Sequence, residues 1–393
     1  MERASMGTRK EIIERHRKEY SKASKAEKGR ILDLICESVG LSRDRAGRVL
    51  RSTEKPRVQQ LRRRGRKPQY HDARVIKLLT RLWVMMDCVS GKRLCAGLPG
   101  LIGALKRHGE LDAEAWAIDK VLSMSPSTAD RLLADARRAT ELRGRSTTKP
   151  GTLRKNSVPI RLGGQWEENK PGYMEMDLVA HCGETTAGDY VNTLDMTDIY
   201  SGWTETAAVI NRAQRHVLGA IKGIHRRLPF TLLGLDSDNG AEFINAHLLR
   251  YCTNEQLVFT RSRPYRKNDN CHVEQKNYSV VRKQIGYARY EGEQAVILLN
   301  EYYGLLRLYS NYFLPSFKLI SKERNGARIY KKYDKPLPPY ARLLQSSDVA
   351  DTQKASLKAQ YDTLNPAALK RAMQLLQTDI QALALPHARP VSG

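Results

Sequence analysis

Apolar residues along the chain follow two periodicities, and the change from one to the other divides it. From residue 9 to 52 they recur at helical spacing: Ile12 and Ile13, then Ile31, Leu34, Ile35, Val39 and Leu41. Gly40 predicts the end of one helix. Ser42 predicts the cap of the next, which runs to Arg51 with Val49 and Leu50 inward. Residues 51–72 have no apolar period and read as a linker. A second helical region covers 73–142, where Val75, Ile76, Leu78, Leu79, Leu82, Trp83 and Met86 form a thick apolar face. Gly97-Leu98-Pro99-Gly100 predicts a break, and Ser125-Pro126 the start of a helix over 127–138. Residues 143–172 read again as linker.

At Tyr173 the spacing becomes that of strands. Residues 173–181, 190–197 and 203–210 predict a three-stranded meander, followed by a helix over 213–227. A fourth strand over 231–235 ends in the turn Asp236-Ser237-Asp238-Asn239-Gly240, because Asn and Gly accept tight-turn backbone. A helix over 241–251, a fifth strand over 257–260, a basic loop and a helix over 269–287 complete the expectation. The fold class is therefore multidomain: a helical N-terminal region, an α/β core over 173–290 with a five-stranded mixed sheet, and a small β/α region beyond it. Residues 291–345 predict a helix and a small β module, and 346–393 predict terminal helices split near Asn365-Pro366. Ala368, Leu369, Ala372, Leu375, Leu376 and Ile380 form a stripe on the last helix that either buries within the chain or dimerises.

Charge adds a partner to this picture. The chain carries 67 basic and 42 acidic residues, net +25, and residues 1–172 hold 39 of the former against 20 of the latter. Such an excess attracts polyanions, nucleic acid first. A helix, a glycine turn and a helix bearing Arg43, Arg45 and Arg48 fit a helix-turn-helix over 1–55, and fit equally a bundle with a charged face. Ser127, Thr128 and Arg131 mark a second such unit within 73–142. Between them Arg62, Arg63, Arg64, Arg66 and Lys67 surround Gly65 in the linker 56–72. They predict an arm on DNA phosphates or in the minor groove, or else a solvated linker. Arg64-Gly65-Arg66-Lys67-Pro68 resembles an AT-hook core with a lysine inserted. Six scattered cysteines without a C-x-x-C pair suit a reducing compartment and argue against zinc, including at His181-Cys182 and Cys271-His272. No apolar signal core follows Met1 to Met6 and no run reaches membrane-spanning length, so the expectation is cytoplasmic.

Three acids carry the candidate chemistry. Asp177 lies in the first strand, Asp238 in Asp238-Asn239-Gly240-Ala241-Glu242-Phe243, and Glu274 near the start of the 269–287 helix, with 35 residues between the second and third. In these residues the segment 173–290 resembles the catalytic core of the retroviral integrase superfamily, and in particular the D-D-E transposases of bacterial insertion sequences. With Asp236 as the second acid the gap would be 37, so the spacing favours Asp238, with Asp236 kept as a neighbour. The resemblance implies a ribonuclease-H-like fold and two Mg2+ ions per site, with Mn2+ able to substitute. Asp177 would bridge both ions, Asp238 hold one and Glu274 the other. It also implies double-stranded DNA as partner, both terminal repeats and target, a homo-oligomer on DNA, and a nucleoid-associated bacterial setting. Asn239, Gly240 and Glu242 are expected to shape the turn, and Asn270 to order the loop before Glu274. Arg282 and Lys283 either reach DNA or are solvated. Two other classes stay open: a DNA-binding regulator with an inactive core, and a ribonuclease-H-like nuclease that does not join strands.

Overall fold

The computed structural model describes residues 6–52, 69–139, 169–238, 240, 242–261, 273, 276–326 and 328–385. The chain forms two compact units, Met1–Pro68 and Gln69–Gly393. In the first, α1 (Met6–Lys22), α2 (Lys25–Val39) and α3 (Arg43–Arg51) close around Tyr20, Ile35, Val39, Ala46 and Leu50. Ser24 and Glu27 open α2 with a reciprocal capping box, the Ser24 amide donating to Glu27 Oε2 at 2.9 Å. Gly40 ends α2 at φ 73°, which a side chain would resist. Ser42 stands at the cap position of α3 without making a side-chain cap bond.

The second unit begins with α4 (Ala73–Met85), α5 (Gly91–Arg107), α6 (Ala115–Leu122), α7 (Pro126–Leu132) and α8 (Ala134–Ala139). The break expected at Gly97–Gly100 does not occur. Helix α5 runs through Pro99, because Leu94 and Leu98 before it and Leu101, Ile102 and Leu105 after or beyond it are all buried along one face. The helix expected over 127–138 is two helices, divided at Leu133. These helices share a hydrophobic core with the sheet that follows: Trp83, Met86 and Leu98 belong to the same cluster as Met174, Tyr309 and Phe313. Among the described residues, no helix is long and apolar enough to cross a membrane.

The sheet comprises β1 (Tyr173–Ala180), β2 (Asn192–Asp198), β3 (Thr204–Val209), β4 (Gly234–Ser237) and β5 (Val258–Arg261), in the order β3-β2-β1-β4-β5. The first three strands are antiparallel neighbours, while β4 joins β1, and β5 joins β4, in parallel. That is the five-stranded mixed sheet expected of the core. Two helices interrupt the later strands: α9 (Gln214–Arg227) and α10 (Ala246–Asn254). Helix α10 starts five residues later than the sequence predicts. Asn245 caps it by accepting from the Leu248 amide at 2.9 Å, and the Phe243 and Ile244 amides are already bound in a turn to the Gly240 carbonyl.

The chain then enters α11, a π-helical turn over Asn277–Arg282 that continues as α-helix through Lys283–Ile285. Next come α12 (Gly292–Phe313), the hairpin β6 (Leu319–Asn325) and β7 (Arg328–Tyr333), α13 (Pro339–Gln345), α14 (Asp351–Thr363) and α15 (Pro366–Ala382). Asn365 caps α15 by accepting from the Ala367 and Ala368 amides. Helix α15 packs on α12 with Met373 and Ile380 buried, so its apolar stripe is used largely within the chain, although Leu375 is 70% exposed.

Candidate active site

Strand alternation sorts this sheet into unlike faces. Met174, Met176, Leu194, Met196 and Leu235 point one way. Glu175, Asp177, Thr193, Asp195, Thr197 and Asp236 point the other, and three of them meet Val273, Asn277 and α12: the Val273 amide donates to Glu175 Oε2 at 3.1 Å, Asn277 Nδ2 to Asp177 Oδ2 at 2.6 Å, and Thr193 Oγ1 bonds the Tyr303 hydroxyl at 2.7 Å. A buried sheet face this rich in carboxylates is unusual, because an ion without a partner is costly to remove from water.

Register brings the acids together. The parallel pairing of β1 with β4 sets Glu175 beside Asp236 and Met176 beside Ser237. Asp238 is the first residue past the end of β4, as Asp177 is the first past Met176, the last β1 residue paired with β4. On the other side of Asp177, the antiparallel pairing sets Asp195 directly across. Asp195 and Asp177 thus form a row over two strands, and Asp238 follows just past the end of β4. Asp236 lies one layer away, wholly buried and bonded to the Thr260 hydroxyl.

Each of these acids is held differently. Asp238 Oδ1 accepts from the Gly240 amide at 2.9 Å, and burial raises its pKa. Glu242 curls back beside it: a Cβ placed on Gly240 would lie 2.7 Å from the Glu242 carboxyl carbon and 2.9 Å from Asp238 Oδ1. A side chain at position 240 would therefore have to displace the Glu242 and Asp238 carboxyl groups. Burial, and then the charge of Asp238, raise the Glu242 pKa. Asp195 is pushed up to about 8, mainly by burial and in smaller part by the charge of Asp177, with Lys276 pulling the other way. Its Oδ1 accepts from Thr197 Oγ1 at 3.4 Å, while its Oδ2 is buried and accepts no bond from the described residues. Lys276 Nζ donates to the Gly202 carbonyl at 3.2 Å, and burial brings its pKa down to about 8.

Glu274, Asn270 and Asn239 lie outside the described residues. The described residues around Glu274 are tied to β1, Val273 through Glu175 and Asn277 through Asp177. Among the described residues, no group of three or more His, Cys, Asp or Glu forms a metal cluster. Two contributors were not legible as site residues in the sequence. Asp195 sits in a strand where polar residues alternate with Leu194 and Met196, a pattern that puts it on the face of Thr193 and Thr197. Asn277 follows Glu274 by three residues, the spacing that shares a helix face.

The candidate DNA contacts are spread widely. Arg43, Arg45 and Arg48 are exposed on α3, with Arg43 also paired to Asp33. Arg62, Arg63, Arg64, Arg66 and Lys67 lie outside the described residues. At the start of α7, Ser125 caps the Thr128 amide at 3.3 Å, and Arg131 bonds the Thr128 hydroxyl and the Ser127 carbonyl. Arg282 Nη2 donates to the Ala180 carbonyl at 2.8 Å and stacks over Tyr287, and Lys283 Nζ donates to the Asp87 carbonyl, so both are built into the second unit.

No protein-family model matches the chain. Among solved structures it is similar to the catalytic core domain of BIV integrase, at 16% identity and TM-score 0.28 over 43% of this chain and 91% of that one. It is also similar to the HTLV-2 integrase catalytic core domain in complex with magnesium, at 12% identity and TM-score 0.28 over 37% of this chain and 89% of that one. A third similarity is to a simian T-cell lymphotropic virus intasome, at 14% identity and TM-score 0.26 over 46% and 59%. At such scores these likenesses are slight. Sequence similarity is much stronger to the uncharacterized protein y4rM of Sinorhizobium fredii (strain NBRC 101917 / NGR234): 40% identity over 342 residues, spanning 86% of this chain and 96% of the relative. The chain belongs to the family of that protein, y4rM.

Proposed function

We propose that the chain is a D-D-E transposase, a polynucleotidyl transferase that binds the terminal repeats of a mobile element, cuts at their 3′ ends and joins those ends to target DNA. The observation that supports this reading is the parallel register of β1 with β4, which ends at Met176 and Ser237, one residue before Asp177 and Asp238. Asp177 and Asp238, with Glu274 as third acid, offer the hard oxygen donors that magnesium prefers. The buried Asp195 Oδ2, which accepts no bond from the described residues, is a further oxygen beside Asp177. When bound, a pair of divalent cations supplies the charge that stabilises attacking and leaving oxygens in an in-line displacement at phosphorus.

The chain's own residues prepare that displacement. Asn277 fixes the Asp177 carboxylate by its amide, and the Gly240 amide fixes that of Asp238, so neither must be ordered when DNA arrives. Glu242 crowds Asp238 from the turn and holds its own proton to higher pH than an ordinary glutamate. The exposed arginines of α3, the arm around Gly65 and the start of α7 supply phosphate contacts, which position DNA without reading its sequence. Work on two DNA ends calls for a homo-oligomer.

The test is a strand-transfer assay with a precut oligonucleotide end, magnesium and plasmid target. Joined products that vanish in Asp238→Asn support the proposal. Cleavage without joining would assign the chain to the nucleases, and DNA binding alone would make it a regulator.

A further inference from the structure

A second cleft, of about 290 Å³, opens beside the acid row where Lys276 turns away from it. The β2–β3 turn, α11, the N-terminal part of α5 and the approach to the β6–β7 hairpin enclose it, and Arg93, Lys276, Lys318 and Arg342 line it together. Four cations in one small cleft repel one another. Arg342 has Asp334 at 2.8 Å. Arg93 and Lys276 form no ion pair among the described residues. Arg93 Nε donates to the Pro315 carbonyl at 2.5 Å, and Lys276 Nζ to that of Gly202. The Arg342 Nε is buried and finds no partner among the described residues. Burial lowers the pKa of Arg93. Holding such groups together weakens the folded state unless an anion joins them.

The rim indicates which anion. Phe317 and Tyr333 stand at the mouth, 38% and 46% exposed, with ring centroids 5.8 Å apart and planes inclined at 59°. Aromatic faces above a basic cleft suit a base stacked next to its own phosphate. A duplex is too wide to enter a space of this volume, whereas one nucleotide fits. We propose that the cleft binds a single phosphate-bearing nucleotide whose base is unpaired, with the phosphate toward Arg93 and Lys276 and the base against Phe317 and Tyr333. This goes beyond the transposase reading and does not need it, since binding requires none of the three acids.

Titration calorimetry on the full chain in EDTA separates the two ideas. The probes are inorganic phosphate, deoxyadenosine and deoxyadenosine 5′-monophosphate. The monophosphate is expected to bind at least about tenfold tighter than either fragment. Phe317→Ala, at the exposed rim, should reduce it to the level of inorganic phosphate. Lys276→Met should abolish binding of both phosphates while leaving the thermal midpoint unchanged or higher, because it removes a buried cation that lacks an ion-pair partner. A cation placed only for structure would lower the midpoint on removal. Monophosphate binding equal to that of deoxyadenosine, or undiminished in both variants, overturns the proposal. Competition by a 5′-phosphorylated single-stranded decanucleotide would identify the occupant as a DNA strand, and its absence a free nucleotide; both agree with the cleft's chemistry. Asp177→Asn should bind the monophosphate as wild type does, whatever the strand-transfer assay shows.

Discussion

Glu205 and Asp195 stand on neighbouring strands of one sheet, both wholly buried, and the protein treats them in opposite ways. Glu205, at the β3 edge, is neutralised. Arg227 Nε reaches it at 2.6 Å, Arg307 Nε lies 2.9 Å from both its oxygens, and the Trp203 indole donates to it at 2.9 Å. Asp195 has one hydroxyl at 3.4 Å and an oxygen that accepts nothing from the described residues, and it faces Asp177 in the row. A fold that brings two guanidinium groups to Glu205, on the Met196 face of the sheet, and none to Asp195, on the other face, has placed cations by position. At the edge the acid clamps α9 and α12 to β3. In the middle Asp195 gains no such clamp, and under the proposed function the acids there would take positive charge from outside.

The sharpest way to break this contrast is to remove charge from those acids. Asp177→Asn and Asp238→Asn should each reduce strand joining by a factor on the order of a thousand. Their thermal midpoints should stay unchanged or rise, because like-charge crowding is relieved. A variant that still joins strands near the wild-type rate would remove that acid from the chemistry. The opposite result is expected at the edge. Glu205→Ala leaves two guanidinium groups without their carboxylate and should lower the unfolding free energy by about 3 kcal/mol. The measurement is the urea midpoint, and a variant as stable as wild type would mean that the clamp contributes nothing net.

Much of the sheet, though not this contrast, was already legible in the sequence, for a physical reason. Strand periodicity and turn chemistry are local, so five strands, their order along the chain and the Asp238 turn could be read from residue types. The 35-residue gap pairs Asp238 with Glu274 by resemblance alone, since Glu274 lies outside the described residues. Register is not local. That Asp195 faces Asp177 follows from how a meander closes, and nothing within Asn192–Asp198 announces it. The late start of α10 depended on which residue captured the Leu248 amide, Asn245 rather than an earlier one. Pro99 misled because its local cost is outweighed by burial on both sides of it. The two arginines on Glu205 come from α9 and α12, 22 and 102 residues away, a distance at which sequence pattern says nothing.

Asn277 tests whether the row is held ready or ordered later. Its amide bonds Asp177 at 2.6 Å, and partners of candidate ligands commonly contribute ten- to a hundredfold in affinity or activity. Asn277→Ala should therefore reduce joining by about that factor and raise the magnesium concentration required. Asn277→Asp, which replaces a donor with a like charge, should be worse. Equal losses in the two variants, with no change in magnesium requirement, would assign Asn277 to packing.

The smallest expected effect concerns pH, and here the sheet provides its own control. His181 is wholly buried at the end of β1, Nε2 bonded to Thr193 Oγ1 at 2.8 Å, and burial takes its pKa from 6.5 down to about 3. A histidine with a depressed folded pKa favours the folded state fully above its unfolded value. It loses that contribution as pH falls from about 6.5 toward 3, by about 1.4 kcal/mol per unit. Asp195 has the opposite sign. Its pKa is raised to about 8 from 3.8, so its contribution is complete below the lower value and is lost as pH climbs toward the upper one. Between pH 4.5 and 6.5 the two slopes oppose and partly cancel in the wild-type curve. Subtracting the His181→Leu curve from wild type should therefore leave a difference that rises with pH across that window. Subtracting Asp195→Asn should leave one that falls. Two differences of the same sign would mean that one of these groups exchanges protons with water in the folded state, and the buried polar face would then be less sealed than its packing against α11 and α12 implies.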